Sequence, residues 1–222
     1  ILLSQSSYLS GALALKADTI DEIVQFWLGP SLDSPDLAYG RRDWWYKGGV
    51  AVDEEIRDRF GTEVARACRR ELMDWQDTPN GAFAMILLLD QFTRNLYRNT
   101  PDAYLGDACA FEVVNNAIDN KLDLELHPVG RIWLYHPFHH AETIEDQERG
   151  GSLLQQVRAS APSEWHRYID RSIWGWGRHR DIVARFGRFP HRNAVLGRES
   201  TDEEIEFLAE NGQSFGQGPK KN

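Results

Sequence analysis

The side chains of this sequence best suited to proton transfer are two of the three histidines in residues 136–142 and the carboxylate that follows them. His136 and His140 are four residues apart, and Glu142 follows two residues later. A carboxylate that holds an imidazole in one tautomer makes it a general acid or base, so we predict His140 and Glu142 as a catalytic pair. A metal site is a weaker hypothesis, because Pro137 breaks the helix that would align the histidines and no HExxH spacing is present. We therefore predict no metal ligands and no cofactor, and a hydrogen-bonded helix start is the structural alternative.

A dense polar segment, residues 186–198 with the sequence FGRFPHRNAVLGR, is the second place where the sequence suggests a site. It sets three arginines, a histidine and an asparagine among two phenylalanines and a proline. Gly187 and Pro190 stop the helical pattern that precedes it, so its polar groups stand on irregular backbone. Such groups usually bind a buried acid or an anion. The residues of this segment that we predict to contact a ligand are Arg188, His191, Arg192 and Asn193.

A third segment joins a wholly apolar run, residues 82–89, to the charged sequence DQFTRNLYR of residues 90–98. An apolar run of this kind predicts a helix buried on all sides. Asp90, Arg94 and Arg98 are four residues apart, which places them on one helical face. A charged face at the end of a buried helix must be paired or reach water, because an isolated buried charge is costly. The residues of this segment that we predict to contact the ligand are Asp90, Arg94, Asn95 and Arg98.

The five arginines of these two polar segments leave two interpretations open. Arginine does not lose its charge in a protein, so each one needs an acid or water. In the first interpretation most of them pair with Asp90, Asp107 and Glu142 in a buried lattice that stabilises the fold. In the second, one or two of them face a pocket and bind a carboxylate or phosphate. We expect a mixture, in which some arginines are paired and one or two line the pocket.

Two functions follow from these interpretations. The first is a pocket that binds, and could act on, a small anionic molecule; whether the protein is an enzyme is open. The second is a helical scaffold that binds a peptide or protein partner, with the Arg, Asp and His motifs as a structural lattice. A scaffold would spread its polar residues along an open face, whereas here they are concentrated in short motifs beside aromatic residues. This concentration favours the pocket.

The composition excludes several other classes of function. Its 34 acidic residues against 25 basic ones give a net charge of −9, which argues against nucleic-acid and acidic-membrane partners. The longest apolar run, residues 82–89, is far too short to span a bilayer. Cys68 and Cys109 fall in predicted helices and imply no disulfide framework. No secretory signal is visible at the start of the sequence, so we predict a cytoplasmic location.

The polar segments must be positioned by helices, because no stretch of the sequence shows the two-residue alternation of a strand. We predict an all-α single domain of about eight to ten helices, arranged as a bundle or a solenoid-like superhelix. Residues 1–17 are predicted to be loosely held, residues 18–211 to form the helical domain, and residues 212–222 to be a disordered tail. Helix starts are predicted at four threonines, Thr19, Thr78, Thr100 and Thr201.

Two further features are predicted to be structural. The aromatic cluster of residues 44–46 is expected to plug the core between helices, since large aromatic side chains dominate protein interiors. His179 lies at the edge of an apolar stripe and is expected to be a satisfied core histidine. No serine or cysteine stands in a nucleophile-elbow pattern, and no glycine-rich phosphate-binding loop is present, so acyl-enzyme chemistry and nucleotide binding have no support.

The three polar segments together resemble a known family. LLDQFTRN in residues 88–95, HAE in residues 140–142, and FGRFPHRN with LGR in residues 186–198 are similar to the motifs of a mainly bacterial family catalogued as domain of unknown function 924. The likeness runs over nearly the whole chain. It implies an all-helical, tetratricopeptide-like right-handed superhelix and no established reaction. Thr93 stands where the family usually has proline, and His139 stands where it usually has an apolar residue.

Overall fold

Helices form the regular structure of this chain. The computed structural model describes the backbone of residues 2–211 and the side chains of residues 14–46 and 48–210. The helices are α1 (Leu2–Leu28), α2 (Pro35–Lys47), α3 (Gly49–Cys68), α4 (Pro79–Ile86), α5 (Thr93–Leu96), α6 (Asp107–Asp119), α7 (Pro128–Leu134), α8 (His136–His140), α9 (Ile144–Ser160), α10 (His166–Phe186) and α11 (Asp202–Asn211). A π-helical turn, Leu87–Phe92, joins α4 to α5. No strand occurs within residues 2–211, so the predicted all-α class is confirmed.

Two of the predicted helix starts are confirmed by their hydrogen bonds. Thr78 Oγ1 accepts from Gly81 N at 3.2 Å and precedes Pro79 in the first turn of α4. Thr201 Oγ1 accepts from Glu204 N at 3.2 Å, while the Glu204 carboxylate accepts from Thr201 N at 2.8 Å. This reciprocal arrangement is a capping box, which satisfies two backbone donors at the start of α11.

The other two predicted helix starts are wrong. Thr19 lies inside α1, where its Oγ1 donates to Leu15 O at 2.9 Å. Thr100 precedes only the 3-10 turn Pro101–Tyr104, and its Oγ1 donates to Tyr97 O at 2.8 Å. Threonine hydroxyls commonly bond a carbonyl three or four residues back in the chain. The residue type alone therefore does not decide where a helix begins.

The predicted domain limits are only partly within the described structure. Helix α1 begins at Leu2, so residues 2–17 are helical and continuous with the part of α1 that packs on the core. The loose attachment predicted for residues 1–17 and the domain limits of 18–211 stay predictions. The tail predicted for residues 212–222 lies outside the described residues. The right-handed tetratricopeptide-like superhelix also stays a prediction.

The core is centred on α4 and the π-helical turn, as the apolar run predicts. Every side chain of residues 82–89 is fully buried. Helices α1, α3, α6 and α7 pack around this segment and cover it on all sides. Because the charged sequence follows directly, Asp90 and Gln91 are carried into the interior with it. Within residues 2–211, no helix combines the length and the apolar character needed to cross a membrane.

Aromatic side chains fill the space between α1, α2 and α7. The ring of Trp27 packs edge-on against Trp133 with centroids 5.1 Å apart, and the Trp45 ring lies 5.0 Å from Trp133. Trp45 is buried, and its Nε1 donates to Trp27 O at 2.9 Å, as expected for a core plug. Tyr46 departs from that prediction, because it is 58% exposed and lines a cavity instead.

The polar segment of residues 186–198 has a fixed, irregular conformation. Helix α10 ends at Gly187, whose φ of 67° is the left-handed conformation that favours glycine after a helix. Phe189 is fully buried and anchors the segment. Pro190 then starts the 3-10 turn Pro190–Arg192. The segment therefore holds its charged side chains in defined places.

Candidate functional site

A cavity of about 440 Å³ lies where α1, α2, the π-helical turn, α5, α8, α10 and residues 186–198 meet. Five of the seven histidines line it, namely His136, His139, His140, His179 and His191. The aromatic side chains in its wall are Trp27, Trp45, Tyr46, Tyr104 and Phe189. Of the residues predicted to form a site, the fold brings to this cavity Arg94, Asn95, Arg98, His140, His191 and Arg192.

The π-helical turn Leu87–Phe92 gives Asp90 its position. Gly106, just before α6, packs so closely against this turn that an added methyl group would collide with the Leu89 carbonyl oxygen. The same carbonyl accepts a hydrogen bond from Thr93 Oγ1 at 2.8 Å. The widened turn carries Asp90, which is 1% exposed, to the side of α8. Such turns are rare in helices and are found frequently at functional sites, and no sequence pattern predicted this one.

His140 and Asp90 form the central hydrogen bond of the site. His140 Nδ1 lies 2.8 and 2.9 Å from the two carboxylate oxygens of Asp90. Gln91 Nε2 donates to Asp90 Oδ2 at 2.5 Å, and Arg94 Nη2 lies 3.5 Å from Oδ1. Burial acts to raise the pKa of Asp90, but the charge and hydrogen bond of His140, together with Arg94, outweigh it and lower that pKa. The carboxylate is therefore ionised at neutral pH.

This hydrogen bond fixes the tautomer of His140. An ionised carboxylate only accepts hydrogen bonds, so the proton of the contact is carried by Nδ1. Nε2 is then the nitrogen available for other chemistry, on a side chain that is 21% exposed and lines the cavity. A histidine held in this way is suited to accept or donate a proton. Asp90, which the sequence suggested as a ligand contact, instead orients the imidazole.

Glu142 takes part in a different interaction from the one predicted. Its carboxylate accepts hydrogen bonds from Arg198 Nη1 at 2.6 Å, from Arg198 Nη2 at 3.0 Å and from Phe189 N at 2.8 Å. Burial acts to raise the pKa of Glu142, but these hydrogen bonds outweigh it and lower that pKa. The predicted pair of His140 with Glu142 is thus replaced by His140 with Asp90. The physical reason is that residues 186–198 fold back onto the connection between α8 and α9 and occupy both oxygens of Glu142.

Arg192 is buried without a hydrogen bond to its guanidinium among the described residues. It is 6% exposed, and the guanidinium lies over the rings of Phe189 at 4.5 Å and Tyr104 at 5.0 Å. Its ion-pair partner, Glu142 Oε1, is 3.9 Å from Nη1, which is beyond hydrogen-bond distance. Burial, and then the charge of Arg94, lower the pKa of Arg192. An acceptor in the cavity would stabilise this group, because buried donors without acceptors are unfavourable.

Arg94, Asn95 and Arg98 also line the cavity, and each has a carboxylate partner. Arg94 Nη2 lies 2.7 Å from Asp107 Oδ1. Arg98 Nε and Nη2 donate to Asp53 at 2.5 and 2.8 Å, and Asn95 Nδ2 donates to the same carboxylate at 2.7 Å. The helical face predicted for Arg98 is wrong, because α5 ends before it at Leu96. Hydrogen bonds and ion pairs therefore hold these three side chains in the cavity wall.

Arg188 and Asn193 lie outside the lining of the cavity and join residues 186–198 to α11. Arg188 Nε and Nη2 donate to the two oxygens of Glu204 at 2.7 and 2.8 Å, and Asn193 Nδ2 donates to Glu204 Oε2 at 3.1 Å. The hydrogen bond from Arg188 is the main cause that lowers the pKa of Glu204 to about 2. The ligand contacts predicted for Arg188 and Asn193 are therefore replaced by structural hydrogen bonds.

The other four histidines of the cavity are buried (His136, His139) or half-buried (His179, His191) and are uncharged at neutral pH. Burial is the first cause that lowers the pKa of His136, His179 and His191 to about 3. Burial also lowers the pKa of His139, whose ring centroid lies 3.8 Å from that of His179. His179, predicted to be a core histidine, contacts Gly175 O through Nδ1 at 3.3 Å and lines the cavity. Within the part of the chain that the structure describes, no three His, Cys, Asp or Glu side chains are grouped so that they could hold a metal ion.

Comparison with known proteins settles the family of the chain. A family of bacterial proteins of unknown function, DUF924, matches residues 23–212. The chain belongs to the DUF924 family. The solved structure of ATU0120, a protein of unknown function from Agrobacterium tumefaciens, is similar to this chain, with 35% sequence identity and a TM-score of 0.74. The similarity covers 88% of this chain and 99% of that one. No functionally curated protein matches the chain.

The DUF924 match includes every residue that lines the cavity, from Trp27 to Arg192. The family resemblance inferred from the polar motifs is therefore confirmed. The DUF924 description names no reaction and no ligand, so the function of the cavity must be argued from its geometry.

Proposed function

We propose that the cavity binds a small anionic molecule, whose carboxylate or phosphate is bound by Arg192. The observation that carries this proposal is a buried guanidinium that lines the cavity and makes no hydrogen bond to the described residues. A planar guanidinium donates two parallel hydrogen bonds to a carboxylate or phosphate, and such charge-assisted bonds are stronger than neutral ones. The faces of Phe189 and Tyr104 hold the group in place by cation–π contacts.

His140 supplies the proton transfer in this proposal. Asp90 holds the imidazole with the proton on Nδ1, so Nε2 accepts a proton from the bound molecule or from a water beside it. The anionic group on Arg192 would position the ligand for this step, because both side chains line the same cavity. Glu142 then acts through Phe189 and Arg198, which it holds in place, and takes no part in the proton transfer.

The rest of the cavity fits an uncharged portion of the ligand. Neutral histidines donate and accept hydrogen bonds without adding charge, and the aromatic rings offer apolar surface. His136 stacks on Trp133 with centroids 4.2 Å apart, and His139 stacks on Trp176 at 4.6 Å. The imidazoles are thereby held in fixed orientations, which favours recognition of hydroxyl or carbonyl groups in the ligand.

The scaffold alternative receives support only for its structural part. The ion pairs of Arg98, Arg188 and Arg198 form the lattice that it requires. A peptide-binding surface would also need polar residues spread along an open face, whereas Arg192 is buried, His140 is partly buried, and both line one cavity. We therefore place the lattice and the pocket in one site, in which paired arginines fix the wall and Arg192 binds the ligand.

Thermal denaturation of the full chain tests the binding of an anion. Phosphate, sulfate and small carboxylates at matched ionic strength should raise the melting temperature of the wild-type chain. At a hundred times its dissociation constant, a ligand of the native state adds about 2.7 kcal/mol, or roughly 5 to 10 °C for a chain of this size. Arg192→Gln should remove that shift, while Arg180→Gln, at an exposed arginine paired with Asp181, should retain it. The absence of any shift in the wild type, or an equal shift in Arg192→Gln, would contradict the proposal.

Nuclear magnetic resonance of ¹⁵N-labelled histidine tests the proton transfer. In the neutral ring of His140, Nδ1 should carry the proton and Nε2 should be unprotonated, because the carboxylate of Asp90 accepts from Nδ1. Asp90→Asn should weaken this tautomer preference, since an amide oxygen is a poorer acceptor than a carboxylate. A neutral His140 protonated on Nε2 in the wild type would exclude it as the proton acceptor.

A further inference from the structure

A smaller cavity of about 200 Å³ adjoins the one described above, between α2, α7 and α10. Tyr46, His139 and His179 line both cavities, so the two spaces are neighbours that share these three side chains. The shared side chains are aromatic or uncharged. A ligand that lies against them could extend from one cavity to the other.

Three arginines line the smaller cavity, and none of them forms an ion pair among the described residues: Arg42, Arg171 and Arg178. Acidic neighbours on α10 are engaged elsewhere, since Asp170 pairs with Arg158 at 2.9 Å and Asp181 pairs with Arg180 at 2.9 Å. In a chain with a net charge of −9, three arginines without a carboxylate partner make a local concentration of positive charge.

Aromatic rings orient these arginines. The guanidinium of Arg171 lies 4.4 Å from the Trp174 ring centroid, that of Arg178 lies 5.2 Å from the same ring, and that of Arg42 lies 5.2 Å from Tyr46. Residues 171, 174 and 178 are three and four positions apart, so Arg171 and Arg178 lie beside Trp174 on one face of α10. A guanidinium that contacts a ring through its face keeps the N–H groups at its edge available for an anion.

We propose that the smaller cavity is a second anion subsite and that the ligand of this protein is an elongated molecule with an anionic group at each end. This inference rests on the proposed function, because one end occupies Arg192. The other end is bound by Arg42, Arg171 and Arg178. The uncharged middle portion lies against Tyr46, His139 and His179. The anionic groups are carboxylates or phosphates, which guanidinium groups bind in the same geometry.

Calorimetric titration of the full chain tests this inference. The ligands are linear α,ω-dicarboxylates and α,ω-bisphosphates of increasing length, each compared with the monoanion of the same number of carbons. At one optimum length the dianion should bind at least about tenfold more tightly than its monoanion, a difference of about 1.4 kcal/mol. The series that shows this optimum, dicarboxylates or bisphosphates, identifies the anionic group of the ligand.

Two double variants of α10 separate a subsite from a general effect of charge. Arg171→Gln with Arg178→Gln should remove the tighter binding of the dianion relative to its monoanion, because the second anionic group then loses two of its three arginines. Arg180→Gln with Arg185→Gln removes the same charge from the same helix, at arginines paired with Asp181 and Glu203, and should change neither affinity.

The results that overturn the second subsite differ from those that overturn the proposed function. If no dianion binds more tightly than its monoanion, or if both double variants weaken binding equally, the second subsite is refuted. Binding of monoanions that depends on Arg192 would then still support the first cavity as an anion site. If no anion binds at all, both proposals fall.

Discussion

At the residue scale, three arginines of one short segment have different environments. Arg188 donates two hydrogen bonds to Glu204, and Arg198 donates two to Glu142. Arg192 lies between them in the sequence and is covered by aromatic rings instead. The oxygens of Glu204 and Glu142 are engaged by Arg188, Asn193, Arg198 and Phe189 N, and the Arg192 guanidinium stays 3.9 Å from Glu142. The central arginine is left to the cavity.

The buried histidines predict how the stability of the protein depends on pH. The folded-state pKa of His136, His179 and His191 is lowered to about 3, whereas an unfolded histidine has a pKa of about 6.5. When the pH falls below the histidine pKa of the unfolded state, about 6.5, the unfolded chain binds protons that the folded chain does not. The free energy of unfolding therefore falls as the pH is lowered from 7 to 5. Each such group contributes up to about 1.4 kcal/mol per pH unit. Urea unfolding at several pH values measures this slope.

A matched pair of variants assigns the slope to the cavity. His179→Gln should make the decrease between pH 7 and 5 less steep, because it removes one buried histidine of the cavity. His166→Gln, at a histidine that lies outside the cavity and contacts Ala161 O at 3.1 Å, should leave a steeper slope than His179→Gln. Equal slopes for the two variants, or a stability that does not change with pH in this range, would show that the cavity histidines are not held neutral.

At the element scale, the π-helical turn Leu87–Phe92 couples the core to the site. The apolar sequence before it sets the depth of the helix in the core, and the widened turn directs Asp90 to His140. The close packing of Gly106 against the Leu89 carbonyl leaves no room for a side chain at this crossing. Any shift of the turn would move the carboxylate that orients the imidazole.

Two glycine substitutions test this packing, with opposite expected signs. Gly106→Ala should lower the free energy of unfolding by about 1–3 kcal/mol, because the added methyl group collides with backbone rather than with a flexible side chain. Gly61→Ala, inside α3 with no atom near the added methyl group, should raise it by about 0.5–1 kcal/mol through helix propensity. Urea denaturation measures both. A neutral Gly106→Ala would mean that the turn is not held by this contact.

At the scale of the whole molecule, the charge is distributed in two ways. The net charge is −9, and most arginines are paired with acids, while Arg192 lines the larger cavity and Arg42, Arg171 and Arg178 line the smaller one. Long-range electrostatics therefore oppose the approach of an anion, and affinity must come from short, well-oriented contacts inside the cavities. The affinity for a small anion should consequently depend more on the geometry of the site than on the total charge.

The sequence was sufficient for those parts of the fold that local patterns determine. The apolar run of residues 82–89 predicted the central buried helix, and the capping threonines Thr78 and Thr201 marked two helix starts. No local pattern predicted the π-helical turn, and Gly106, which packs against it, lies outside the turn in the sequence. Thr19 is of a residue type that often caps helices, but it lies inside α1, which begins earlier, at Leu2.

Some residues that line the candidate cavity were named from the sequence, whereas the contacts between them were not predicted. His140, His191 and Arg192 were identified from their sequence contexts, and all three line the cavity. Glu142 is close to His140 in the sequence, yet the partner of the imidazole is Asp90, fifty residues away. Such a pairing requires knowledge of which helices pack together. For the same reason the sequence could not show whether His179 lies in the core or lines the cavity.

The measurement that tests the central claim most directly is a crystal structure of the chain with selenate, a tetrahedral oxyanion whose selenium is located by anomalous scattering. We predict an anomalous peak in the larger cavity, with selenate oxygens within hydrogen-bond distance of the Arg192 guanidinium. Crystals of Arg192→Gln grown in the same solution should lack that peak. A wild-type cavity without selenate, or a peak that persists in the variant, would contradict the assignment of this cavity as an anion site.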